Sequence, residues 1–466
     1  MVYNIGYNIA KLNTIRRSKK MKKIFLRTGA LAGLAVSALA LASCGSSEVE
    51  VKDLDGNSYK IAATEDSEAV SKAIVLAANS STQETEGKFY AFGAEAKINA
   101  NVTVESDGIK GTIVANASAS AGATMGKATY AAYTPDEDGA YKEADVKAAT
   151  DLLKKNLGAL VTAHGEAQFK NFSVDVNNKA FADYTAEEKE EVKNKFKAVD
   201  GKTAKADVKA FLYNDGYAYG ELNATLPKEI AQLSTEDTAE EAKMEQYVKA
   251  AVPFDEISPI VSTALNTYQT KTFADFITYA KKNIPGFEGI NLPELPKFDA
   301  KFYESNEYKA LVDVVKELGV KVSNVSNGNV TFEVEVTEPE VKAAAEKVDP
   351  KSAAIIALLF SGDKSLFKAS VTVDMAHGRL VSVNVSTEAL DKIVTIAAYA
   401  VSSVVSGIIS GITGSESSTP SLPTLPFQKL EGTLSFELNF KYDGDVNVSA
   451  TPDSSKTYVE QGAERQ

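Results

Sequence analysis

Long runs of alternating polar and apolar residues constrain the fold of this 466-residue chain more than any other feature. Residues 98–104 and 434–442 both alternate, which places every second side chain on one face of a strand. Ser106-Asp107-Gly108 and Asn214-Asp215-Gly216 are typical of tight turns, because Asp-Gly readily supplies positive φ. The sequence therefore predicts long antiparallel hairpins with one buried face.

Other segments complete this pattern of strands and helices. Residues 113–123 alternate too, but they are rich in Ala and Ser, so the inner face of that strand should be shallow or closely covered. Further strands are predicted at residues 48–51, 208–213, 217–226, 330–336, 367–375 and 380–385. Helices are predicted at residues 64–79, 143–157, 185–199 and 305–318 and near Val341 and Ile355, the first capped by Thr64 or Asp66.

The order of these elements predicts an α+β fold in which curved antiparallel β-sheets are covered by amphipathic helices, arranged in two lobes. Residues 285–298 are rich in proline and glycine and should form a linker, since neither a helix nor a central strand continues through such a composition. The predicted N-terminal α+β lobe is 48–284, the C-terminal lobe is 299–450, and 451–466 form a polar tail.

The first 43 residues have the pattern of an export signal. Met21-Lys22-Lys23 and Arg27 form a positively charged region, and residues 28–43 form an uncharged run that is too short for an ordinary membrane-spanning helix. The run ends in Leu41-Ala42-Ser43-Cys44, with small residues at the expected cleavage site. Translation could start at Met1 or at Met21, and the second is the more typical beginning.

The quartet that ends in Cys44 resembles the bacterial lipobox. The resemblance implies that the thiol of Cys44 receives a lipid and that cleavage removes 1–43, leaving 44–47 as a lipidated tether. Two or three acyl chains bury enough methylene groups for stable membrane attachment. We therefore expect a lipid-anchored protein on the extracytoplasmic face of the cell membrane, with palmitate among the acyl groups and the membrane as its partner.

Composition excludes several classes of function. Cys44 is the only cysteine, so no thiol remains for a disulfide, a nucleophile or a thiolate metal site once it is lipidated. The chain has 50 basic and 63 acidic residues, and residues 1–43 hold eight of the basic and none of the acidic ones. The mature chain therefore carries 42 basic against 63 acidic residues, a net charge of −21, which phosphate backbones repel. Nucleic acid is not an expected partner.

Residues with catalytic or metal-binding chemistry are few. His164 and His377 each precede a glycine where a turn is expected, which favours solvated loop histidines. The acidic stretches that begin at Asp53 and Asp136 lack the distal glutamate of a twelve-residue calcium loop. We therefore predict no catalytic residues, no metal, no cofactor and no enzymatic activity.

The uncharged segment 393–414 is the one further stretch long enough to cross a bilayer. Polar residues recur on one stripe of the helix it would form, which favours a helix covering a sheet over a second membrane contact. Its apolar face would lie over the strands at 367–375 and 434–442. The candidate ligand-binding residues are therefore Ile396, Val401, Val404, Ile408, Val371, Val373, Phe436 and Leu438.

In arrangement the chain resembles the LolA/LppX-like family of lipid-carrier lipoproteins, although no motif of that family carries the likeness. The resemblance implies that a lipid or another apolar ligand binds between sheet and helices. The alternative is a non-enzymatic surface or structural lipoprotein without a ligand cavity, whose sheets are filled by their own side chains. A solute-binding protein fits less well, because the βαβ rhythm of such proteins is absent from the sequence.

Overall fold

The computed structural model describes residues 48–82, 89–232, 242–271, 273–284, 298–340, 362, 365–392 and 429–461. These residues form a mixed α+β protein with a large, mostly antiparallel β-sheet, which confirms the predicted class. The predicted linker 285–298 lies outside this description except for Phe298, and so do the helices predicted near Val341 and Ile355 and the segment 393–414.

Strands make up much of the described chain, and several are longer than the usual five or six residues. They are β1 (Glu48–Lys52), β2 (Ser58–Ala62), β3 (Ala91–Ser106), β4 (Ile109–Thr124), β5 (Gly158–Val174), β6 (Thr203–Leu212), β7 (Tyr217–Leu226), β8 (Ala242–Ala251), β9 (Lys321–Ser326), β10 (Asn329–Thr337), β11 (Ser365–Asp374), β12 (Arg379–Thr387), β13 (Lys429–Tyr442) and β14 (Val459–Glu460).

The described α-helices interrupt the strand order. They are α1 (Ser67–Thr82), α2 (Glu143–Asn156), α3 (Ala186–Val199), α4 (Lys228–Ala231), α5 (Phe254–Thr270), α6 (Phe273–Asn283) and α7 (Asn306–Glu317). Local capping sets their starts. The Asp66 carboxylate accepts a hydrogen bond from the Ala69 amide at 2.8 Å, so Asp66 rather than Thr64 begins α1. Thr185 and Glu188 form a capping box at the start of α3.

The described residues fall into two compact units that interleave along the chain. The first unit takes residues 48–82, 298–340, 362 and 365–380, and the second takes 89–232, 242–271, 273–284, 381–392 and 429–461. This interleaved division differs from the predicted lobes, which follow one another in sequence.

The first unit is built around one apolar core. The β1–β2 hairpin and the antiparallel strands β9, β10 and β11 contribute valines to this core, and α1 contributes Val70 and Leu76. Val315 of α7, Val330 and Val373 are fully buried in the same cluster. Asn79 closes the unit, because its side chain exchanges hydrogen bonds with the Phe298 backbone at 2.7 and 2.9 Å.

The second unit contains a long sheet in the order β14-β8-β7-β6-β5-β4-β3-β13-β12. Neighbouring strands are antiparallel except β14, which pairs in parallel with β8. The predicted hairpins β3–β4 and β6–β7 are confirmed, and Asp107 and Gly108 adopt the positive φ of 50° and 83° that the first turn requires. Helices α2 and α5 pack together at one end of the strands through Leu153 and Phe254.

The C-terminal strap, defined here as residues 446–458, crosses one face of the second unit's sheet. Val446 and Val448 lie against glycines of β3, β4 and β5. A Cβ added at Gly93 would lie 3.4 Å from the Val446 side chain, and one added at Gly158 would lie 2.8 Å from the Val448 side chain. Farther along, the Tyr458 hydroxyl and the Lys456 ammonium group donate to the Glu221 carboxylate at 2.7 and 3.0 Å. The strap therefore includes residues that the sequence pattern assigned to a polar tail.

Burial and hydrogen bonding act in opposite directions on the pKa of Glu221. Burial raises it, but the hydrogen bonds from Tyr458 and Lys456 together with the charges of Lys209 and Lys456 bring it below its ordinary value. Glu221 therefore holds the strap as a carboxylate.

Candidate apolar binding face

The register of the second unit's sheet sorts its side chains into one polar and one apolar face, because directly paired residues share a face. Two adjacent rows across the strands define what we call the apolar face. The first row is Val385, Phe436, Ile98, Ala117, Gly165, Ala206, Ala224 and Met244. The second is Val383, Leu438, Ala96, Ala119, Ala163, Val208, Leu222 and Gln246.

Large apolar side chains on this face are exposed to an unusual degree. By strand alternation, neighbouring rows of the same face add Leu434, Val161, Leu226 and Phe92. Eight large side chains of the face are 37% to 48% exposed, namely Phe92, Ile98, Val161, Val208, Leu226, Met244, Val385 and Leu434. Single exposed apolar residues are ordinary, but a contiguous group of this kind is typical of a surface that binds an apolar partner.

The shape of the face follows from its residue sizes. Strand β4 contributes Ala115, Ala117, Ala119, Ala121 and Ala123, which run along roughly 27 Å of the strand at about 3.4 Å per residue. Strand β13, two strands away, contributes Leu434, Phe436, Leu438 and Phe440. Small residues therefore share this face with a line of large ones along β13. The sequence predicted a buried face that was shallow or closely covered at residues 113–123, whereas Ala117, Ala119, Ala121 and Ala123 are exposed.

The charged residues of these strands lie on the opposite face. Ser118, His164 and Asp207 are directly paired across β4, β5 and β6, and His164 Nδ1 lies 2.7 Å from Asp207 Oδ1. They line a shallow depression of about 280 Å³ with Lys209 and Glu221. The histidine and aspartate side chains are 45% and 56% exposed, so the pair is well solvated.

The Ser-His-Asp order has the residue types of a catalytic triad but not its setting. A triad needs donors aimed at a developing oxyanion and a site shielded from water, whereas the backbone amides of these central strands pair in the sheet. His164 lies within β5, so its predicted position in a turn was wrong, while His377 does lie in the turn before β12. Gly165 favoured a turn in the sequence, but it pairs with Ala117 of β4 and Ala206 of β6 and so lies within a strand.

The acidic stretches noted in the sequence form turns. Asp53 accepts hydrogen bonds from the Asp55 and Asn57 amides at 2.9 and 2.8 Å, and Asp136 accepts from the Asp138 and Ala140 amides. Within the part of the chain that the structure describes, no three His, Cys, Asp or Glu side chains group as metal ligands.

The predicted site residues are distributed as follows. Cys44, Ile396, Val401, Val404 and Ile408 lie outside the described residues. Val371 and Val373 belong to the packed core of the first unit, where Val373 is fully buried. Phe436 and Leu438 belong to the second unit and occupy adjacent rows of the apolar face.

Two strands of the apolar face were not predicted from sequence. In β5 the apolar positions are mostly alanine and glycine, so the contrast with the polar positions is weak. The signal that was present in β5 is the strict alternation of Ala159, Val161, Ala163 and Ala167 with polar residues from Thr162 onward. Strand β8 was also missed. It carries Met244 and Val248 among charged residues, so the contrast between its apolar and polar positions is weak as well.

No family model, no curated protein and no solved structure matches this chain. The candidate site therefore rests on the residues themselves. Among the described helices, none combines the length and the apolar character needed to cross a membrane.

Proposed function

We propose that this chain is a membrane-anchored extracytoplasmic lipoprotein, held by acyl chains on Cys44, whose body binds or carries a lipid or another apolar ligand. The observation that carries the ligand proposal is the apolar face of the second unit, with its eight large side chains 37% to 48% exposed. The lipobox-like quartet supports the anchor.

The proposal extends to the finer architecture, two lobes in which amphipathic helices cover curved sheets. The division into two compact units supports the lobes, and the packing of α3 against β5 supports helix cover over part of the sheet. An acyl chain suits the apolar face better than a charged ligand, because Gln246 is the one polar side chain in the two rows that define it.

The alternative is a structural or surface lipoprotein without a ligand. The first unit favours this alternative, because its core is filled by its own side chains and Val70, Val330 and Val373 are fully buried. A body built entirely in that way would leave no room for a ligand.

The anchor is tested by Cys44→Ser, since this residue holds the only thiol in the chain. The wild-type protein should partition into the detergent phase and the variant into the aqueous phase. A variant that stays membrane-bound after high-salt washing would contradict the proposed anchor.

Ligand binding is tested by titrating a fluorescent fatty acid into the protein without its lipid, expressed from Ser46. Ile98→Glu places a charge on the apolar face and should weaken binding at least tenfold, because the buried carboxylate would be desolvated. Asn99→Glu is the matched control, because it adds the same charge one residue along β3 on the opposite face. Equal binding by both variants and the wild type, or no binding by any of them, would favour the structural alternative.

A further inference from the structure

Two oxygen atoms in the first unit are buried without a hydrogen-bond partner and belong to directly paired residues. Asn329 begins β10 and Asp374 ends β11, and the two are opposite one another in the register. Asn329 Oδ1 and Asp374 Oδ2 are both inaccessible to solvent and unpartnered, and Asp374 is 0% exposed as a residue. A buried acceptor without a donor is costly, so two opposite each other require an explanation.

The polar environment of Asp374 is sparse. Its other oxygen, Oδ1, accepts one hydrogen bond, from the Ala376 amide at 3.2 Å, and the neighbouring Met375 amide bonds instead to the Gly328 carbonyl at 3.0 Å. Alternation along β11 puts Asp374 on the face opposite Val373, where it is fully buried beside its paired residue Asn329. A buried carboxyl group with one amide donor favours its uncharged form.

The charged groups near this position are few among the described residues. Arg379, at the start of β12, is the one whose charge acts on Asp374, and His377 is a titratable group of the intervening turn. Farther along the same strands Glu333 bridges Lys321 and Lys368. A bound cation would have to overcome the charge of Arg379 with only two side-chain oxygen donors, whereas one proton supplies the missing hydrogen bond.

We propose that Asp374 is a protonated carboxylic acid in the folded first unit, that its O–H donates to Asn329 Oδ1, and that loss of this proton makes the unit less stable as pH rises. The proton comes from and returns to solvent water, so the step is a simple acid dissociation. The proposal is independent of the proposed lipid-binding function.

The electrostatics agree with this geometry. Burial raises the pKa of Asp374 to about 8, against an ordinary value of 3.8, and the Ala376 amide and Arg379 offset only part of that increase. The unfolded chain releases this proton above about pH 4, whereas the folded chain keeps it to about pH 8. The contribution of Asp374 to stability should therefore be greatest below about pH 4 and fall between these limits, by up to tenfold in the unfolding equilibrium constant per pH unit.

Asp53 of the same unit provides a matched comparison. It is 4% exposed and also buried, so burial alone would raise its pKa, but hydrogen bonds from Asn57, Tyr59 and the Asp55 amide lower the pKa below the ordinary value. Two buried aspartates in one unit thus differ in how many donors they face, several for Asp53 and one for Asp374.

The experiment compares the full-length wild-type protein with Asp374→Asn and Asp53→Asn. Denaturant unfolding is followed at pH 5 to 8.5, with Asp374 titrated by selective ¹³C labelling of aspartate carboxyl carbons and assigned by its absence in Asp374→Asn. We expect the unfolding constant of the wild type to rise at least tenfold more over this range than that of Asp374→Asn. Asp53→Asn should keep the pH dependence of the wild type.

Three results would overturn the proposal. A carboxyl resonance for Asp374 that titrates near pH 4 would show a carboxylate, with the Asn329 amide turned to donate to it. Stabilisation at pH 8 by added Ca²⁺ in the wild type but not in Asp374→Asn would assign a cation to the two oxygens. Equal pH dependence of the unfolding constant in the wild type and in Asp374→Asn would show that the proton of Asp374 does not affect stability. Should Asp374→Asn fail to fold, the wild-type spectrum still decides, because Asp374 is the one described aspartate expected to titrate near pH 8, and a spectrum without such a resonance would overturn the proposal.

Discussion

In the first unit Leu76, Val315 and Val373 are at most 1% exposed, whereas in the second unit Ile98, Val161 and Val208 are 41% to 45% exposed. Both sets are aliphatic and mostly β-branched, so residue type does not explain the difference, although Leu76 and Val315 lie on helices and the other four lie on strands. What differs is the cover. Helices α1 and α7 bring side chains into the core with β10 and β11, whereas α2 and α5 of the second unit meet Leu157, Leu212 and Val252 at the strand ends. The comparison separates, among the described residues, a sheet that is packed by its own helices from a sheet face whose large apolar side chains stay partly exposed.

The sharpest test of this comparison deletes one aliphatic side chain from each unit. Leu76→Ala should lower the unfolding free energy by about 2–5 kcal/mol, because the shorter side chain leaves a cavity in a packed core. Ile98→Ala should change it by less than about 0.5 kcal/mol, since that side chain is 43% exposed. Denaturant unfolding of both variants measures the difference. A comparable loss in Ile98→Ala would show that the apolar face is covered in solution and would remove the basis of the ligand proposal.

Adding volume tests the same comparison from the opposite side. Ala73→Leu inserts a larger side chain into the first unit's core, where Ala73 is 2% exposed, and should cost roughly 1–3 kcal/mol through overpacking. Ala119→Leu on the exposed middle of β4 should be close to neutral for stability. Thermal melting of the two variants gives the readout. If Ala119→Leu is neutral but weakens fatty-acid binding, the alanine surface is in contact with the ligand.

Much of the fold could be predicted because the alternation in several strands is strong. Residues 434–442 and 330–336 alternate large apolar with polar residues and are confirmed as β13 and β10, and the Asp-Gly turns located both predicted hairpins. For α1 the sequence offered Thr64 or Asp66 as the cap, and Asp66 is the residue that caps it. Local sequence was sufficient for these elements, but it did not predict α5, although that helix also carries large apolar residues.

The candidate site could be predicted only in part. Phe436 and Leu438 were nominated and lie on the apolar face, but Val161 and Met244 were not, because their strands carry small or polar neighbours that blur the period of two. Register between distant strands, such as Ile98 with Phe436, depends on long-range pairing and is not encoded within either strand. For the same reason the sequence did not predict that Asp374 lies opposite Asn329, because that position follows only from the pairing of β10 with β11.

A third prediction concerns the opposite face of the second unit, which the C-terminal strap covers. Tyr458→Phe removes a hydroxyl that donates to the Glu221 carboxylate at 2.7 Å and should cost about 1.5 kcal/mol, as expected for a hydrogen bond to a charged group. Tyr247→Phe is the control, because that hydroxyl donates to the neutral Asn223 at 3.0 Å and should cost less. Denaturant unfolding gives both values, and limited proteolysis reports release of the strap. Equal costs would mean that Glu221 does not hold the strap as a carboxylate.

The smallest expected effect is at the exposed row formed by Ser118, His164 and Asp207 on the polar face of the sheet. Asp207→Asn removes the charge that His164 contacts at 2.7 Å, but both side chains are about half exposed, and pairs of this kind contribute roughly 0.2–1 kcal/mol. The change in unfolding free energy should therefore stay below about 1 kcal/mol and should shrink further in 1 M salt, where the Debye length falls to about 3 Å. Fatty-acid binding should be unaltered, since the row lies on the face opposite Ile98. A loss of several kcal/mol that persists in high salt would show that the row is buried by a partner or by more of the chain.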